Sequence, residues 1–134
     1  MLEIYTDGAY SSSREVGGWA FVVTENGKKI HSEYGTAKGT TNNRMEIRAI
    51  LKAMQWAKGK SITIYTDSMY VIGTMTKNWK RKKNTDLWIL MDEAEEQLDV
   101  SWQHVKGHSG NKFNEMCDTL AVHASHIINN ELNV

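Results

Sequence analysis

The chain has 134 residues, 40% hydrophobic and 24% charged, and sixteen Lys+Arg balance sixteen Asp+Glu. That length suits one domain over residues 1–134, with a core that needs neither disulfides nor a structural metal, and the balance excludes a nonspecific polycation. No run approaches the ~20 apolar residues of a membrane span, no leader pattern opens the chain, and the single cysteine, Cys117, excludes an internal disulfide, so a cytoplasmic protein with no membrane partner is expected.

In chain order, Leu2–Thr6 alternates as a strand. Gly17–Thr24 and Lys29–Ala37 read as two more strands, joined at the Glu25-Asn26-Gly27-Lys28 turn, where Asn-Gly signals a hairpin. Asn43–Lys58 carries a helical stripe of Met45, Ala49, Ile50, Ala53, Met54 and Ala57, stopped by Gly59. Ser61–Thr66 reads as a strand, Ser68–Thr76 and Thr85–Gln97 as helices, the second capped by Asn84 or Thr85. Val100–Val105 is a further strand, and Asn111–Ile128 a last helix with Phe113, Met116, Cys117, Leu120, Ala121 and Ala124 inward. Three strands, a helix, a strand, two helices, a strand and a helix imply a mixed sheet with helices packed on it. Charge is uneven along this order. Lys77, Lys80, Arg81, Lys82 and Lys83 crowd around Trp79, and Asp92, Glu93, Glu95, Glu96 and Asp99 follow.

An internal echo points to chemistry. Residues 4–7 and 64–67 both read Ile-Tyr-Thr-Asp, each Asp standing where a strand is expected to finish. If the two strands pair in parallel and in register, Asp7 and Asp67 lie side by side at the carboxyl edge of the sheet, where α/β folds bind ligands. Two such carboxylates repel unless a cation separates them, and oxygen ligands favour Mg²⁺ or Mn²⁺ over zinc. Taken singly, either Asp is equally well a turn or capping residue. Glu46 also has two readings. Asn43-Arg44-Met45-Glu46 fits a capping box, yet Glu46 shares the helix face of Ile50, Ala53 and Ala57, where a carboxylate is costly unless paired or metal-bound. Asp118 shares a face with Asn114, Ala121 and Val122 on the last helix, and alone reads as a solvated or capping residue. His108 lies in Lys106-Gly107-His108-Ser109-Gly110, where a loop histidine beside a metal site could shuttle a proton near neutral pH.

Six segments, in order, resemble the type 1 ribonuclease H family across nearly the whole chain. They are Tyr5-Thr6-Asp7-Gly8, Gly17-Gly18-Trp19-Ala20, Thr40 through Glu46, Tyr65-Thr66-Asp67-Ser68, Val105 through Gly110, and Asn114 through Ala121. The resemblance implies a ribonuclease H-like α/β fold: a five-stranded mixed sheet with helices on both faces, the first three strands antiparallel and the first, fourth and fifth parallel. It implies an endonuclease that hydrolyses the RNA strand of an RNA–DNA hybrid with two Mg²⁺ ions, Mn²⁺ being a possible substitute, leaving 5′-phosphate and 3′-hydroxyl ends. The catalytic carboxylates would be Asp7, Glu46, Asp67 and Asp118, all four metal ligands. Asp7 would bridge both ions, Asp118 would serve the ion that activates water, and Glu46 and Asp67 the ion on the leaving-group side. His108 would assist proton transfer or product release.

For the substrate, the resemblance assigns Asn42 and Asn43 to the minor groove and ribose hydroxyls, which distinguish RNA from DNA. It assigns Thr41 to a DNA-strand phosphate, and Trp79 with Lys80 and its basic neighbours to the DNA strand. The sequence departs from the family pattern in three places. Asn78–Leu87 is shorter than in bacterial and animal relatives, which puts affinity and processivity in question. Met69 stands where Gln is common. Ser11-Ser12-Ser13-Arg14 replaces a loop richer in Pro and Gly, with Ser13 taking the place of an Asn near the minor groove. A hybrid-binding module without activity and a junction resolvase are the competing readings. The retained carboxylates argue against the first, and Asn42-Asn43 with the Lys-Gly-His-Ser-Gly loop argue against the second. A monomer is expected.

Overall fold

The computed structural model describes residues 1–106 and 110–131. Three strands come first: β1 (Leu2–Ser11), β2 (Val16–Glu25) and β3 (Lys28–Lys38). Helix α1 (Asn42–Trp56), strand β4 (Ser61–Thr66), helices α2 (Met69–Thr76) and α3 (Thr85–Glu96), strand β5 (Asp99–His104) and helix α4 (Lys112–Glu131) follow. The five strands form one sheet in the order β3-β2-β1-β4-β5. β1, β2 and β3 pair antiparallel, while β1, β4 and β5 run parallel, as expected from the resemblance.

Local chemistry accounts for the joints. Asn26 and Gly27 take positive φ of 53° and 76°, the conformation a two-residue hairpin turn requires, and Glu25 faces Lys28 across it. Thr41, in extended conformation, caps α1, its hydroxyl oxygen accepting from the Arg44 amide at 3.1 Å. Ser68 caps α2 by accepting from Val71 at 3.2 Å. Asn111 starts α4, its Oδ1 accepting from Phe113 and Asn114. Asn84 stands at the cap of α3 in a left-handed conformation and gives no side-chain cap; its amide is used elsewhere.

Alternation along β1 and β2 sends side chains to two cores. Ile4, Phe21, Ile62 and Ile64 pack under α1 with Met45, Ile50 and Trp88. On the other face, Tyr5, Ala20 and Val22 pack against Cys117 and Ala121 of α4. Helices therefore cover both faces. No helix among the described residues is long and apolar enough to cross a membrane.

Two boundaries differ from expectation in ways that matter. β1 does not finish near Asp7; it continues to Ser11, paired with β2 down to Ser11–Val16. Only its parallel pairing with β4 stops early, at Tyr5–Tyr65. Helix α1 begins one residue before the expected start, because Thr41 and not Asn43 supplies the cap.

Candidate active site

The β1–β4 register pairs Ile4 with Ile64 and Tyr5 with Tyr65, so the repeated tetrapeptides lie side by side. The two tyrosine rings stack, with centroids 4.6 Å apart. The same offset brings Asp7 alongside Asp67, just beyond the end of β4. Glu46 arrives from α1 on the face opposite Cys117. The carboxylate oxygens of Asp7, Glu46 and Asp67 fall within 4.8 Å of one another. Asp118 borders the same pocket from α4 but stands outside that closest group. The pocket, about 380 Å³, is walled by these four carboxylates together with Gly8, Asn42, Asn43, Ser68, Met69 and Tyr70.

Glu46 makes no capping box. Its carboxylate accepts a hydrogen bond from the Gly8 amide, which also points at Asp7 Oδ1, 2.9 Å away. Gly8 is required for this approach: a Cβ there would lie 2.4 Å from the Glu46 nitrogen and 2.5 Å from the Met45 carbonyl carbon. Removing that side chain lets the first turns of α1 press against β1 and deliver a buried glutamate into the sheet edge.

Asp7 and Glu46 are each only 6% exposed. Burial pushes the Asp7 carboxyl up to about 7, with the charges of Asp67 and Asp118 adding to the rise. Burial, then the charges of Asp7 and Asp67, lifts Glu46 well above the usual carboxylate range. Arg44, two residues before Glu46, does not relieve them: its guanidinium is bidentate to Asp86 at 3.1 and 2.8 Å and also donates to Asn84 Oδ1. The donor set is all oxygen, mutually repelling and buried at Asp7 and Glu46, which is the environment a hard divalent cation stabilises. The residues present therefore fit a metal site.

The remaining sequence-predicted residues distribute as follows. Asn42 and Asn43 are exposed on the pocket wall. Thr41 is adjacent, exposed, with its oxygen engaged by the cap. Ser13 sits on the β1–β2 turn, away from the pocket, its hydroxyl 3.3 Å from that of Ser11. Trp79 is 44% exposed, and Lys80 lines a second pocket. His108 lies outside the described residues. Sequence reasoning gave no role at the site to Gly8, Tyr70 or Asn84, the last being read only as a candidate helix cap. Tyr70 borders both pockets, and its hydroxyl accepts from the Asn84 amide at 3.0 Å. The Tyr10/Tyr70 echo after the two aspartates was the available signal for Tyr70.

The profile of the RNase H family matches residues 1–126. A Ribonuclease H of Treponema denticola is 39% identical, the match covering 92% of this chain and 96% of that protein. A Ribonuclease H of Francisella tularensis subsp. novicida is 44% identical, covering 87% and 86%. Among solved structures, LC11-RNase H1 in complex with RNA/DNA hybrid superposes with a TM-score of 0.80 at 20% identity, covering 93% of this chain and 96% of that one. With the expected strand order and a carboxylate-walled pocket at the sheet edge, these matches establish that the chain belongs to the RNase H family, the endoribonucleases that cut the RNA strand of RNA–DNA hybrids.

Proposed function

We propose that the chain hydrolyses hybrid RNA through two Mg²⁺ ions held at the sheet edge, with Mn²⁺ able to substitute, and leaves 5′-phosphate and 3′-hydroxyl ends. The observation that carries this reading is the convergence of Asp7, Glu46 and Asp67 within 4.8 Å, two of them buried with raised pKa values. Bound ions would supply Lewis acidity at the scissile phosphate and an activated water for in-line attack. Asp7 would be the ligand common to both ions. Glu46 and Asp67 would serve one ion, and Asp118, on α4, would serve the other. The Gly8 amide orients Glu46 and Asp7 through the bonds described above. Assistance in proton transfer or product release is assigned to His108, which lies outside the described residues.

Substrate contacts follow the pocket walls. Asn42 and Asn43 present amides at the N-terminus of α1, suited to ribose hydroxyls. Thr41 accepts from Arg44 but keeps its hydroxyl proton, and so can donate to a DNA phosphate. Ser13 meets the minor groove from the β1–β2 turn. Trp79 and Lys80 hold the DNA strand by packing and charge. The same reading has residues 1–134 acting as one domain and a monomer in the cytoplasm, a compartment suited to the free, buried Cys117.

Labelled hybrid, duplex RNA, duplex DNA and single strands incubated with Mg²⁺ or EDTA test this directly. Cutting of the RNA strand of the hybrid alone, lost in EDTA, is expected. Cleavage of duplex DNA at an equal rate would refute it.

A further inference from the structure

The segment between α2 and α3, from Lys77 to Asn84, has no helix or strand, yet both of its ends are tied down. The Trp79 amide donates to the Gly73 carbonyl at 3.3 Å. The Trp79 ring lies so close to Gly73 that a Cβ there would come within 2.2 Å of it. At the other end, Trp88 Nε1 donates to the Lys83 carbonyl at 3.1 Å.

Arg81 sits between these ties and differs from the lysines around it. Its guanidinium donates twice to the Asp92 carboxylate on α3, at 2.5 and 3.0 Å, and lies 5.6 Å from the Trp88 ring centroid. A group so engaged has its charge offset by Asp92 and is tied to α3. Lys80, Lys82 and Lys83 instead line the second pocket, of about 390 Å³, with Asn43, Tyr70 and Asn84. Asn43 and Tyr70 also wall the carboxylate pocket, so the two pockets adjoin and the three lysines extend the wall that begins at the acidic site.

We propose that Arg81 is a positioning residue for the hybrid: its grip on Asp92 and its stack on Trp88 fix an irregular segment so that Lys80, Lys82 and Lys83 face the phosphates of the DNA strand. This rests on the hybrid-docking role given to the segment above. A backbone fixed beforehand loses less entropy when its lysines meet a polyanion, and that difference appears as affinity. The pair is partly exposed, at 33% and 49% of the two side chains, and pairs of that kind contribute little to folding. Its effect is therefore expected in substrate binding and not in the melting temperature.

The sign of one substitution separates positioning from bulk charge. Asp92→Asn removes a negative charge from a protein that binds a polyanion, so long-range electrostatics alone predicts tighter binding. Loss of the clamp predicts weaker binding. Steady-state cleavage of labelled hybrid by the full chain should show KM rising about threefold for Asp92→Asn, with kcat and melting temperature held. Glu93→Gln, one residue along and exposed, should leave KM unchanged or slightly lowered. Arg81→Ala should raise KM, and the Arg81→Ala/Asp92→Asn double variant should be no worse than Arg81→Ala alone, since partners in one interaction are non-additive. An unchanged or lowered KM for Asp92→Asn, or additive effects in the double variant, would overturn the proposal. The Lys80→Ala/Lys82→Ala/Lys83→Ala variant reports separately on the docking role: unaltered affinity and salt dependence there would remove that reading, and the clamp with it.

Discussion

Asp7 is buried with a carboxyl held at about 7, which makes it a cost of the metal-free fold as well as a ligand. In the unfolded chain an aspartate titrates near 3.9. Between these values the folded state keeps a proton that the unfolded state has lost, so stability falls as pH rises through the interval, by up to ~1.4 kcal/mol per pH unit. Glu46, raised in the same direction, adds to the trend. Thermal melts of metal-free protein should therefore show a melting temperature that falls from pH 4 toward pH 7. Mg²⁺ should raise it more at pH 7.5 than at pH 5, because the ion competes with protons for the same oxygens. Asp7→Asn should abolish cleavage, keep hybrid binding, flatten the pH dependence and melt no lower than the parent at pH 7; a large fall in its melting temperature would show that Asp7 is structural. The Ile-Tyr-Thr-Asp echo made Asp7 and Asp67 legible as a pair, because parallel register converts sequence repetition into adjacency. That the pair repels was legible with it; the larger cause, burial of Asp7 by α1 and α4 from opposite faces, was not.

At the scale of elements, two close approaches set the site. α1 meets β1 at Gly8, and α4 meets β2 at Gly18, where a Cβ would fall 2.2 Å from the Ala121 carbonyl oxygen and 2.6 Å from the Ser125 amide. Both obstructing sets include backbone, which cannot swing aside. Gly8→Ala should destabilise by ~1–3 kcal/mol and remove cleavage by displacing Glu46; a denaturation curve and a cleavage assay on the same preparation check both halves. Gly18→Ala should destabilise similarly and lower cleavage through Asp118, while hybrid binding at Asn42 and Asn43 survives. Thr41→Ala removes the α1 cap at a cost of ~1 kcal/mol, read as a lower denaturation midpoint. Element identities could be read from periodicity and turn residues, and Ser61–Thr66 has the bounds its sequence implies. The errors have two origins. Asn43 to Glu46 satisfies the capping-box pattern, but Thr41 is in place first, and Glu46 is drawn across to the Gly8 amide. β1 outruns its expected end because β2 pairs with it past Asp7. The cap is settled by Thr41 two residues upstream, while the course of Glu46 and the end of β1 are settled by neighbouring elements that the local sequence does not contain.

For the whole molecule, net charge is balanced while function depends on where the charges stand. Arg81 counts among five basic residues in the sequence around Trp79, but its charge is offset by its partner Asp92. Lys80→Ala/Lys82→Ala/Lys83→Ala should weaken hybrid binding and reduce the slope of log affinity against log salt by about two to three, measured by salt titration of labelled hybrid. The neutral total was legible from composition; which cations remain unpaired was not, because it depends on α3 lying beside the α2–α3 connection. The unequal anchoring of the two aspartates has a mechanical consequence. The backbone at Asp7 runs within a ladder that continues to Ser11, while Asp67 follows the last residue of its strand. Amides from Tyr5 to Ala9 should exchange with solvent deuterium only when the whole chain opens, and those after Thr66 by smaller, local excursions. Because Asp67 lies on the side that opens locally, catalysis would then begin to fail along a denaturant series before the sheet itself gives way, leaving a range in which the protein is folded but inert.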